Sequence, residues 1–125
     1  MATESSFPIF ADQGGGMLHV FRIDGSEVGS VQSSDGLDGR GQMLATIADS
    51  TNVQTVEFIR SMKDAYVFLQ PLTSNGAGNL ALTTSGGNVT GFTIECVERD
   101  DNTAPLADQD WMVYVFEYTT KQYVQ

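Results

Sequence analysis

The chain has 125 residues, 41% of them hydrophobic and 10% aromatic, which is one domain able to build its own core. Six Lys and Arg stand against sixteen Asp and Glu, a formal net charge of -10. That balance excludes nucleic acid as an expected partner, because phosphate tracking takes clustered cations, and no apolar run approaches the roughly 20 residues of a membrane-spanning helix.

Residues 1–16, MATESSFPIFADQGGG, are small and polar apart from Phe7, Pro8, Ile9 and Phe10, and Gly14, Gly15 and Gly16 close them as a hinge. They read either as a plain tail or as an extended arm that lays its apolar tetrad on a neighbouring subunit. No basic n-region or apolar h-region of a secretory signal is visible in them, so synthesis in a cytoplasm is expected. Residues 17–125 are the expected folded domain.

Within that domain, 17–23 is a strand candidate ended by the Asp24-Gly25 turn, and 27–32 is a short return. Residues 33–42 form a Gly-rich loop. Residues 43–48 fit a strand or one to two helical turns. The alternation in 52–60 turns Val56 and Phe58 toward a core. Residues 65–72, AYVFLQPL, are nearly all apolar, as in a strand buried on both faces. A short strand at 79–84 leads to Gly86-Gly87, then come the strand 89–99, a polar loop over 100–109 and the strand 111–118. No stretch sustains a helical period with caps. The expected fold is all-β: an antiparallel β-sandwich of about seven to eight strands with an extended N-terminal arm.

The strand WMVYVFEY, 111–118, has two apolar faces. Trp111, Val113 and Val115 fall on one, and Met112, Tyr114, Phe116 and Tyr118 on the other. The second face is expected to meet another sheet or another subunit, and in a domain this small a homo-oligomer, a trimer above all, is the favoured expectation.

Catalytic chemistry has little footing. His19 is the only histidine and sits in an apolar strand, and no Gly-x-Ser-x-Gly elbow accompanies it. The single Cys96 lies in an alternating strand, where a small buried residue is the expected role. No cofactor is expected. Calcium or magnesium is weighed at two acidic places, Asp35 with Asp38 in the Gly-rich loop and Asp100 with Asp101 near Asp108 and Asp110, against simple polar loops.

Val56 and Phe58, then Tyr66-Val67-Phe68-Leu69, then Val89-Thr90-Gly91-Phe92-Thr93-Ile94, and last Trp111 follow an order of features that resembles the H-type lectin-like sandwich at bacteriophage fibre tips. The resemblance covers a little over half the chain and stops after Trp111. It gives Gly91 a meaning: a kink, or the close approach of a neighbouring backbone. Phe92 and Ile94 would then meet Trp111 and Val113 across a long hairpin whose loop, RDDNTAPLADQD, projects from the body. What the resemblance implies is a non-enzymatic virion protein displayed on the particle surface, as a head decoration or short fibre. The segment 1–16 would bind the major capsid or another virion protein, and the domain would oligomerise. The alternative is a carbohydrate-binding adhesin for host-surface glycan.

Overall fold

The computed structural model describes residues 2–11, 14–25, 31–32, 34–36, 44–50 and 52–118, with side chains for 16–25 and 52–118. The described chain is all-β. Its strands are β1 (Ala2–Ala11), β2 (Gly14–Ile23), β3 (Val31–Gln32), β4 (Ser34–Gly36), β5 (Leu44–Ser50), β6 (Val53–Met62), β7 (Asp64–Pro71), β8 (Gly76–Ser85), β9 (Asn88–Glu98), β10 (Asp101–Pro105) and β11 (Trp111–Tyr118).

They form two sheets. The first runs β4-β1-β2-β11-β7 and the second β10-β9-β6-β5-β3, with β8 on β9. Pairing is antiparallel except between β1 and β4. The segment read as an ambiguous strand or helix, 43–48, supplies β5, which pairs with β6. The backbone of residues 2–11 lies beside β2, with Phe7 opposite Leu18 and Phe10 opposite Gly15. The side chains of Phe7, Pro8, Ile9 and Phe10 lie outside the described ones, so the proposed shell contact of that tetrad does too.

Alternation does the folding work. On β11, Trp111, Val113 and Val115 point inward, and on β2 Phe21 and Ile23 do the same. From the other sheet Val56 and Phe58 of β6, Met62, and Val89, Phe92, Ile94 and Cys96 of β9 complete one shared core. Phe58 and Phe92 meet edge to face with centroids 6.0 Å apart, a geometry that suits the ring quadrupoles.

Two expectations are corrected. The strands β9 and β11 do not form a hairpin: β9 pairs with β6, β8 and β10, while β11 lies between β2 and β7 in the other sheet. Phe92 and Ile94 therefore share the core with Trp111 and Val113 from opposite layers, not across a ladder. The intervening loop does not project either. Asp101–Pro105 pairs back onto β9 as β10, and Gln109 is completely buried.

The hairpin that β9 does form is with β8. Its turn is Gly86-Gly87, with φ of 61° and 84°, the left-handed values that a two-residue hairpin turn demands and that glycine adopts without strain. The second correction concerns β7. It is an edge strand, and only Ala65, Val67 and Leu69 turn toward the core.

Candidate functional site

The outer face of the first sheet is the most unusual surface among the described residues. Met112, Tyr114, Phe116 and Tyr118 lie on it in a row, all half-buried. By register Phe116 sits between Leu18 and Tyr66, and Tyr114 between Val20 and Phe68. Tyr66 and Phe68 are 56% and 57% exposed. Edge-to-face pairs tie β7 to β11: Tyr66 to Tyr118 at 5.8 Å and Phe68 to Phe116 at 5.6 Å. These contacts hold the rings upright on the strand and leave their far sides open. Contiguous exposed apolar faces are a common feature of interaction sites in soluble proteins. The charges that flank it, Arg22 and Asp64, stand at its ends.

Exposed apolar side chains continue from this face around the side of the molecule. Leu72 in the turn after β7 is 44% exposed, and Leu80 and Leu82 on β8 are 38% and 45% exposed. They flank the open side where β7 ends one sheet and β8 ends the other.

Beneath the aromatic face one end of the two layers is closed by charge. Glu117 follows the inward alternation of β11 and is 2% exposed. His19, fully buried, donates from Nε2 to Glu117 Oε1 at 2.9 Å, since an ionised carboxylate only accepts. Arg60 of β6 reaches across from the second sheet and grips the carboxylate with both terminal guanidinium nitrogens, Nη2 lying 2.7 Å from Oε1 and Nη1 contacting Oε2.

Arg60 shares the inward parity of Val56, Phe58 and Met62, and beside it the pairing of β6 with β9 shifts register between Glu57 and Met62. Burial pushes the Glu117 carboxyl up, but the hydrogen bonds from His19 and Arg60 and the guanidinium charge outweigh it and hold the group at about 2, against an ordinary 4.5. The arrangement makes Glu117 a charged rivet between layers.

The connection from β10 to β11 is fastened by polar groups. The Gln109 amide donates to the carbonyls of Ala77 (3.1 Å) and Val97 (3.0 Å), and its own backbone carbonyl accepts from Gln54 Nε2 at 2.9 Å. Asp110 accepts from the Gly25 amide and from Arg22, each at 2.8 Å, while its backbone N–H donates to the Thr73 hydroxyl. Asp110 is therefore occupied with the end of β2, the neighbour of β11 in its own sheet, and does not converge with Asp100 and Asp101.

Those two acids are exposed. Asp100 pairs with Arg99 at 3.6 Å, and Asp101 accepts from the hydroxyl and the backbone amide of Thr103, hydrogen bonds that lower its carboxyl below the usual range. Asp38, and the side chain of Asp35, lie outside the described residues. Among the described residues no three His, Cys, Asp or Glu come together as a metal-binding group.

Gly91 has a firm structural reason. A Cβ there would stand 2.1 Å from the carbonyl oxygen of Val56, so β6 and β9 can approach as they do only over a bare backbone. The same place carries a shallow cleft of about 280 Å³, with Thr55, Glu57, Thr83 and Thr90 around it and Val56 and Phe58 beside Gly91.

The row on β11 is visible in the sequence, whereas the apolar run 65–72 reads as a strand buried on both faces and hides the exposure of Tyr66 and Phe68. The Glu117–Arg60 pair and the Gln109 plug involve partners far apart in the chain. The one available signal was Glu117 itself, an acid at an inward position of an otherwise apolar alternation. No family model, no curated protein and no solved structure matches this chain.

Proposed function

We propose that the protein is a non-enzymatic, self-associating module displayed in many copies on a virus particle, as a head decoration or a short fibre. In this reading the two sheets work as a β-sandwich, and residues 1–16 fasten it to a shell protein. The observation that carries the reading is the aromatic outer face of β2, β11 and β7, with Tyr66 and Phe68 more than half exposed. A lone soluble domain gains nothing from such a face, whereas a subunit that buries it against a copy favours the assembled state by mass action.

The resemblance of 89–94 and Trp111 to fibre-tip domains supports the virion part. The surplus of ten negative charges supports dense display, since it keeps copies soluble until specific faces meet. Purified particles from the host that makes this chain, labelled with an antibody to it, are expected to show regular surface labelling. Unlabelled particles from a host making the protein would contradict the reading.

A second reading, a glycan-binding adhesin, has one observation in its favour: the cleft over Gly91, whose lining includes the hydroxyl residues Thr55, Thr83 and Thr90 and the acid Glu57. Sugars are held by such sets of acceptors, donors and apolar surface. Binding on a glycan array that Glu57→Gln and Thr90→Val abolish would favour it, and a blank array would remove it.

A further inference from the structure

We propose that β7 is the edge at which two copies join, each adding its β7 antiparallel to the other across a two-fold axis through Val67. The inference rests on the self-association proposed above and names its geometry. Four observations lead to it.

The first is the open edge. Among the described residues β7 pairs with β11 on one side only and ends the strand order of its sheet. Edge strands leave a row of N–H and C=O groups able to template another strand, and soluble proteins usually blunt them with charge, proline or a bulge. Residues 65–70, AYVFLQ, hold no charge and no proline, and their register against β11 runs without a shift.

The second is the distribution of exposed apolar groups. Tyr66, Phe68, Leu72, Leu80 and Leu82, most of the large exposed hydrophobics among the described residues, gather along β7, its following turn and β8. A partner arriving at the β7 edge would cover them together.

The third observation is register. Opposed residues of an antiparallel pair share a face, so two copies of β7 can only pair in registers that set outward residues against outward ones. Pro71 ends the usable ladder at its C-terminal side. The longest proline-free stretch of the strand is then 64–70, symmetric about Val67. That register sets Tyr66 against Phe68 twice and Ala65 against Leu69 twice. It also sets Asp64 against Gln70, so no like charges meet.

The fourth is charge. A chain of net charge -10 can approach its own copy only along an uncharged strip, and this strip offers a charged partner nothing to recognise. The match is to itself.

Four aromatic rings, each with roughly 100 Å² open, would be covered together with the strand edges and the neighbouring leucines. The interface then falls near the about 1,000 Å² at the small end of specific contacts, so a concentration-dependent dimer is expected.

The test uses Tyr66→Cys and Phe68→Cys, two exposed positions whose substitution leaves the core intact. Mixed and oxidised, the two variants are expected to cross-link as a heterodimer. Each alone is expected to stay uncrosslinked, because like positions lie two residues out of register, beyond the roughly 7 Å that a disulfide spans between Cα atoms. In the unmodified protein, the outward β7 amides are expected to exchange slowly when concentrated and quickly on dilution.

Cross-linking of either variant alone, or fast β7 exchange in a sample that sediments as a dimer, would overturn the edge pairing while leaving association through the aromatic face intact. Sedimentation as a monomer at every concentration would overturn both.

Discussion

Glu117 is an acid where the alternation of β11 calls for an aliphatic residue, and it stays ionised because His19 and Arg60 return more than desolvation removes. Its carboxyl lies at about 2 in the folded chain and at 4.5 ordinarily. A depressed folded value means stability that is present above the ordinary value and lost as pH falls from there toward 2, about 3 kcal/mol in all. Glu117→Gln is expected to lower stability by about 3 kcal/mol near neutral pH, measured by urea denaturation. The difference from the unmodified protein should shrink in acid, because the wild type is losing the same interaction. A constant difference at all pH values would deny Glu117 its charged role.

Gly91 makes the complementary point about space. Gly91→Ala forces a Cβ against the Val56 carbonyl, 2.1 Å away, and is expected to cost about 2 kcal/mol or more by parting β6 from β9.

At the scale of elements, the strands were legible because alternation and turn residues are local. The expected strands at 17–23, 52–60, 65–72, 79–84, 89–99 and 111–118 all appear, with ends shifted by a few residues or none. What the sequence hid was pairing. Between 99 and 111 there is a long polar stretch that reads as an open hairpin loop, and the structure instead uses it to cross from one sheet to the other. The two-glycine turn at 86 and 87 was the stronger hairpin signal, since a tight turn fixes its flanking strands as neighbours and a twelve-residue connection does not.

The crossing is held by Gln109, whose amide satisfies two strand carbonyls inside the molecule. Nothing in the polar run 100–110 marks that glutamine as the buried one, because burial is decided by tertiary position. Gln109→Leu is expected to keep the volume, lose both bonds and destabilise by about 2 to 3 kcal/mol, checked by thermal unfolding. A neutral result would mean that the plug is spacing only.

For the molecule as a whole, the candidate site was half legible. The second apolar row of β11 was legible, because its period of two placed Met112, Tyr114, Phe116 and Tyr118 together on one face. The contribution of β7 was not legible, because an unbroken apolar run looks the same whether a strand is doubly buried or stands at an edge with one greasy side in water. The structure resolves that ambiguity with Tyr66 and Phe68 more than half exposed. In the proposed self-association this is the face that a second copy covers.

Because the ten surplus charges repel between copies, association is expected to strengthen when salt is raised, a trend that light scattering in low and high salt would follow. The most direct measurement is sedimentation equilibrium of the purified chain over a concentration series beside Phe68→Lys, a substitution on the exposed side of β7 that leaves the core untouched. The wild type should pass from monomer to a defined oligomer while the variant, folded by circular dichroism, stays monomeric. A wild type that remains monomeric throughout, or a variant that assembles equally well, would contradict the account.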